Sequence, residues 1–176
     1  MARGDVAESL AYSAIGQVGY VLGALGVGGP VGLTAAILYS AVNALNKTLL
    51  FLAAELRGAL VAAAFAVGAL SVAGIPPAAG FVGKLEMFRA GIVVGNAALV
   101  VLLVVGSALS LVYMFQVYQR RFWRDDPSPP GPATALSLRL LTAAVAVLVL
   151  AAGLWPEPLL AVSGRAAEAL LPVTAG

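Results

Sequence analysis

Cysteine and histidine are both absent from this chain, and charge of either sign is scarce. Without cysteine there is no thiol nucleophile, no disulfide and no sulfur ligand for a metal. Without histidine the commonest nitrogen ligand is missing, together with the side chain that most readily shuttles protons near neutral pH. Proton chemistry is left to lysine, glutamate, tyrosine and water, and no cofactor or metal site is expected. Ten Lys/Arg and eight Asp/Glu make up 10% of the 176 residues, against 61% hydrophobic side chains. At a mean hydropathy of +1.00, so few charges cannot solvate a globular surface, and lipid is the solvent for most of the chain. The net charge is only +2 and the basic residues are scattered, which argues against a nucleic-acid partner.

What is abundant is apolar sequence in windows long enough to cross a bilayer, about 20 residues each. Helices are expected near 9–27, 33–54, 58–75, 81–94, 96–121 and 135–154, with a polar loop at 122–134 and an interfacial or external tail at 155–176. The fold class is therefore all-α, a polytopic helical membrane bundle. The first window follows a short charged lead (Arg3, Asp5, Glu8) and carries polar residues along its length, so it reads as a retained helix rather than a signal peptide. "GVGGP" at 26–30 is a turn; it lacks the strand-then-helix setting of a nucleotide loop.

"GIPPAAGF", residues 74–81, interrupts the pattern with Gly74, Pro76, Pro77 and Gly80. Pro77 supplies no amide donor and Pro76 biases Ile75 away from helical geometry, so the helix breaks here. Either 58–75 and 81–94 are two crossings, or they are one discontinuous helix. With one discontinuous helix there are about five crossings, and Arg3, Arg57, Arg120, Arg121, Arg124 and Arg139 share one side. The positive-inside rule then favours the broken helix, with a cytoplasmic N-terminus and an external C-terminus in a cell membrane. Broken backbone at membrane depth must be buried in protein or face water, because lipid cannot satisfy it.

Polar residues recur at helical spacing. Ser9, Tyr12, Ser13, Gln17 and Tyr20 form one stripe; Tyr39, Asn43, Asn46 and Lys47 form a second; Ser107, Ser110 and Tyr113 form a weaker third. For serines and tyrosines the plain alternative is interhelical hydrogen bonding, worth about 1 kcal/mol per contact. Lys47 resists that explanation. A lysine deep in a membrane helix costs at least about 3 kcal/mol and usually faces water or a partner. Lys84 lies just past the break, where free backbone groups and water can solvate it. Desolvated lysines exchange protons readily, so both are candidates for proton translocation, with Asn43, Asn46, Tyr39, Ser13 and Gln17 as a supporting polar or water path. Glu86 and Arg89, three apart, read as a pair with each other.

"LAYSAIGQVGY" (10–20), "NALNKTLLFL" (43–52) and "LSVAGIPPAAGFVGK" (70–84) resemble, in order and spacing, three successive motifs of one family. They are similar to the antiporter-like membrane subunits shared by respiratory complex I, membrane-bound hydrogenases and Mrp-type multisubunit cation/proton antiporters. "GKLEMFRAG" with "FWR" at 122–124, and the tail "GLWPEPLLAVSGRAAEALL", are most similar to the D-type subunit of the Mrp antiporter. The resemblance extends from Ser9 to Leu171. It implies a proton-translocating module of two inverted five-helix repeats, each with a broken helix and a buried lysine, and it matches Lys47 and Lys84 to the lysines of the second repeat.

Four departures qualify it. The family commonly carries histidine just before the first lysine, where this chain has Val42 and Asn43, so any local proton wire is water-based. Glu86 stands where an apolar residue is usual, and the "AAELRGAL" connection (53–60) is short. The first repeat has no counterpart here, so the chain reads as a C-terminal half needing other membrane subunits, one of them supplying that repeat. Three functions stand open: an ion-translocating part of a multisubunit monovalent cation/proton antiporter, a proton-pumping subunit of a quinone- or hydrogenase-linked oxidoreductase, and a non-conducting structural remnant. In none of them does this chain itself carry enzyme chemistry.

Overall fold

The structure is a computed structural model that describes residues 2–123 and 135–171, with side chains from residues 6 to 123 and 136 to 171. The Arg3 side chain, Arg124, most of the expected loop at 122–134 and residues 172–176 of the tail lie outside the described residues. Among the described residues seven α-helices follow in order: α1 Ala2–Val27, α2 Gly29–Glu55, α3 Ala59–Ala73, α4 Ala79–Val93, α5 Ala97–Tyr118, α6 Ala135–Leu154 and α7 Glu157–Leu170. A π-helical turn, Gln119–Trp123, extends α5. There is no strand among the described residues, and the protein is an all-α polytopic membrane bundle.

Four of the described helical stretches are long and apolar enough to cross a membrane: Val6–Val27, Gly29–Glu55, Ala97–Trp123 and Leu136–Leu154. The 15-residue helices α3 and α4 are each about 22 Å long. Neither matches the roughly 30 Å of a bilayer's hydrocarbon core, but in series they exceed it.

Helix ends follow local chemistry. Gly28 (φ 70°) turns the chain into α2, and Pro30 sits in that helix's first turn, where a missing amide costs nothing. α3 stops at Gly74, whose left-handed φ of 83° lets the Ile75 amide donate back to the Leu70 carbonyl at 2.9 Å. Pro76 and Pro77 follow, and α4 restarts at Ala79, so Gly80 lies in its first turn rather than in the break. What glycine provides at 80 is closeness: a Cβ there would overlap the Ser71 carbonyl. The Gly80 amide, one of the orphan donors of a helix start, is satisfied by Ser71 Oγ at 2.9 Å. Asn96 caps α5 by accepting from the Leu99 amide at 3.0 Å.

α2 is the central helix, packed on α1, α3, α4, α6 and α7. In lipid the hydrophobic effect does not drive helices together, so close approach of small residues matters more. Gly68 receives Leu50, Gly83 receives the Tyr39 ring, and Gly153 of α6 abuts the backbone of the break, where a Cβ would lie 2.7 Å from the Ala79 nitrogen. The large apolar side chains Leu102, Leu109, Val147 and Leu148 point outward, which suits a lipid-facing rim. α7 lies along α2 with Ser163 and Ala167 buried and Arg165 and Glu168 exposed.

At one end of the bundle, Arg121 is buried and reaches across from the π-helical turn to the end of α2. Its Nε and Nη2 donate to the Ala54 carbonyl at 3.0 and 2.8 Å, and Nη2 also to the Leu56 carbonyl at 3.1 Å. Arg57 Nη1 returns a bond to the Arg121 carbonyl at 2.7 Å. In the sequence Arg121 is one contribution to charge bias; the structure makes it a clamp on the free carbonyls of α2, where a cation is favoured by the helix dipole.

Candidate functional site

Lys47 and Lys84 are both buried, 9% and 3% exposed. Each solves its desolvation differently. The Lys47 ammonium, from α2, crosses to α1 and donates to Ser13 Oγ at 2.6 Å and to the Leu10 carbonyl at 3.4 Å. Ser13 Oγ in turn shares a hydrogen bond with the Tyr113 hydroxyl of α5. A hydroxyl both accepts and donates, so Ser13 links an ammonium on one side to a phenol on the other.

Lys84 lies in the second turn of α4, and its side chain folds back across Gly74, where a Cβ would stand 2.6 Å from Lys84 Cδ. Its ammonium donates to the Ala73 carbonyl at 3.0 Å, capping the end of α3 across the break. The other side of the ammonium faces the Tyr20 ring, 5.4 Å from its centroid, a favourable cation–π arrangement. Tyr20 meets Tyr39 edge-on, with centroids 5.7 Å apart, and the Tyr39 hydroxyl donates to Gln17 Oε1.

Gln17 is one helical turn from Ser13 on α1, so the two lysine environments are joined along that helix. One run goes Lys47, Ser13, Tyr113; the other goes Gln17, Tyr39, Tyr20, Lys84. Lys84 meets this set through the Tyr20 ring rather than through a hydrogen bond.

Beside the set lies a cleft of about 510 Å³ between α1 and α5. Ser9, Tyr12, Ser13, Gly16, Gln17 and Tyr20 line it from α1, and Ser110, Tyr113, Gln116 and Arg120 from α5 and its π-helical extension. It extends from Arg120, beside the Arg121 clamp, along the first polar stripe to Tyr20. A cleft so lined can hold water, and hydroxyls and amides at this spacing can pass hydrogen bonds along it.

Of the polar residues singled out by the sequence, Ser13, Gln17 and Tyr39 are buried in this arrangement. Asn43 and Asn46 are not bonded to either lysine. Their Oδ1 atoms, the side-chain acceptors to which an ammonium could donate, are buried without a hydrogen-bond partner among the described residues. Ser107 and Ser110 donate to carbonyls of their own helix, at 2.7 Å to Leu103 and 2.8 Å to Gly106. Glu86 and Arg89 pair at 3.5 Å, apart from the lysines. Tyr20, Tyr113 and Ser71 carry more of the geometry than the sequence indicates. The signal for Tyr20 and Tyr113 is their place on polar stripes, but a stripe does not tell which side chain will meet a lysine. Among the described residues there is no group of three or more acidic, histidine or cysteine side chains that could hold a metal ion.

The family described as "NADH:quinone oxidoreductase/Mrp antiporter, TM" matches residues 1–59 and 56–110. The F(420)H(2) dehydrogenase subunit N of Methanosarcina mazei is 32% identical over 98% of this chain and 41% of its own length. The NADH-quinone oxidoreductase subunit N of Geobacter metallireducens is 35% identical over 88% of this chain and 37% of its own. Among solved structures, a chain of the Mrp complex from Dietzia sp. DQ12-45-1b superposes with a TM-score of 0.83 at 29% identity, covering 94% of this chain and 42% of that one. The likeness thus spans about two-fifths of the relatives' length, and it does not single out the D-type member of the Mrp complex. With a matching fold and a match over more than half its residues, this chain belongs to the membrane-subunit family shared by NADH:quinone oxidoreductases and Mrp antiporters.

Proposed function

We propose that this chain is a proton-translocating membrane unit of a multisubunit assembly, and that Lys47 and Lys84 are its proton-exchanging groups. The observation that carries this reading is the seating of the two lysines. Both ammonium groups are buried without a carboxylate partner among the described residues: Lys47 is held by a serine and a backbone carbonyl, and Lys84 by a backbone carbonyl and an aromatic ring. A purely structural cation at that depth is expensive, and a neutralising acid would be the cheaper solution. Seats made of neutral groups leave each lysine free to lose and regain its proton. Ser13, Gln17, Tyr39 and Tyr20 join the two, and water in the α1–α5 cleft would connect them to the Arg120 end.

The activity is assigned to the assembly, since the chain spans only 41% and 37% of the relatives named above. The partners are other membrane subunits, one of them completing the path. Two assemblies compete. The names of the curated relatives, subunits N of NADH-quinone and F(420)H(2) oxidoreductases, favour a redox-driven pump whose enzyme chemistry belongs to other subunits. The solved neighbour favours a monovalent cation/proton antiporter of the Mrp type. Arg57, Arg120 and Arg121 on one end of the bundle support a cytoplasmic face there.

The test is transport by the native assembly in vesicles, with internal pH followed under a sodium gradient and, separately, under an added electron donor and quinone. Lys47→Ala and Lys84→Ala should each stop coupled proton movement while the assembly still forms. The driving force that moves protons identifies the assembly. Full transport in both variants would leave the chain a structural membrane scaffold.

A further inference from the structure

Tyr20 touches both the α1–α5 cleft and the surroundings of Lys84. It is half-buried, and it lines the cleft near one end. On its other side, the ring covers the Lys84 ammonium at 5.4 Å. Two features hold it there. Its hydroxyl is seated on Gly106 of α5, where any Cβ would occupy the same space. Finally, Tyr39 packs edge-on against the ring at 5.7 Å and 76°, and is itself pinned to Gln17.

We propose that Tyr20 gates water access to Lys84 from the α1–α5 cleft. The structure holds the closed arrangement: the hydroxyl is docked on α5, the ring bridges the gap between the helices, and the ammonium lies behind it. Opening requires the phenol to leave its seat on Gly106 and the ring to swing away from the ammonium, which stays bonded to the Ala73 carbonyl. Lys47 needs no such gate, because its partner Ser13 lines the cleft directly. The two lysines therefore differ in access: Lys47 communicates with the cleft continuously, Lys84 only when Tyr20 has moved. Such an asymmetry keeps a chain of proton carriers from becoming an open wire. This regulation deepens the proton-translocation reading and rests on it for its purpose, but the gate itself is a statement about access.

The experiment places a cysteine at the gated position, Lys84→Cys, in a chain that has no other cysteine. The assembled complex in vesicles is treated with a small cationic methanethiosulfonate, and labelling of this chain is followed by mass. With Tyr20 in place labelling should be slow. Adding Tyr20→Ala should speed it by about tenfold or more, as expected when a steric barrier is removed. Tyr20→Phe keeps the ring but loses the hydroxyl seated on Gly106 and should fall between, which keeps the gate testable if the alanine variant fails to assemble. Equal labelling rates with tyrosine, phenylalanine and alanine at that position would overturn the gate, whatever Lys84→Ala does to transport. Faster labelling in a protein whose transport is indifferent to Lys84→Ala would uphold the gate and sink the proton-translocation reading alone.

Discussion

Lys84 of α4 donates at 3.0 Å to the carbonyl oxygen of Ala73, the last residue of α3. The break thus strands a carbonyl, and the lysine that follows the break takes it up. The same contact explains why a cation tolerates this depth: it sits at the negative end of a half-helix, with backbone rather than lipid around it.

A first prediction concerns the balance at that contact. Replacing Lys84 by methionine leaves the Ala73 carbonyl unsatisfied, a cost of about 1–3 kcal/mol. It also removes the burden of desolvating a cation, about 3 kcal/mol on insertion scales. The two nearly cancel, so Lys84→Met should assemble with a thermal midpoint close to wild type while losing coupled transport. A midpoint collapse measured in detergent would show the lysine to be mainly a structural cap.

Gly80 gives a sharper structural contrast. Gly80→Ala drives a Cβ into the Ser71 carbonyl, and overpacking of this kind costs about 1–3 kcal/mol. Gly19→Ala, where a Cβ meets nothing within 4 Å, should be neutral or stabilising by up to about 1 kcal/mol from helix propensity. Thermal inactivation of the two variants side by side checks this, and equal midpoints would mean that the half-helices do not meet as described.

Arg121 clamps α2 through three hydrogen bonds to two carbonyls. Arg121→Ala should therefore destabilise by about 1.5–3 kcal/mol, the range for hydrogen bonds made by a charged group. Arg121→Lys should recover less than half of it, because an ammonium cannot reproduce the planar fork. Full rescue by lysine in the same thermal assay would reduce the clamp to a simple charge effect.

The orientation of the bundle follows from the same end. With Arg57, Arg120 and Arg121 cytoplasmic, Trp123→Cys should react with a membrane-impermeant maleimide only in inverted vesicles, and Val94→Cys only in intact cells. Both positions are exposed in the structure. Reaction of both from one side would contradict the proposed topology.

Much of this fold is legible in the sequence because lipid imposes a simple code. Long apolar windows become α1, α2, α5 and α6, and Gly74, Pro76 and Pro77 mark where α3 has to stop. The sequence pattern places the restart two residues late, because Gly80 looks like a breaker but serves as a contact surface for Ser71. The two lysines stand out by rarity alone. Their partners do not, since helical stripes give a face but not the neighbour it meets: the asparagines beside Lys47 bond to neither lysine, while Tyr20 and Tyr113, on other helices, complete the two seats. Arg121 is equally opaque, because a basic residue near a helix end looks the same in sequence whether it faces water or caps another helix.

The central claim is that the two lysines serve one path through α1, and Gln17 is where it can be cut with both lysines left in place. Proton movement by the assembled complex in vesicles should be compared for wild type and Gln17→Leu. Gln17→Leu should lower the rate by about tenfold or more, as for loss of an interaction worth at least about 1.4 kcal/mol. Wild-type rates in Gln17→Leu would contradict it.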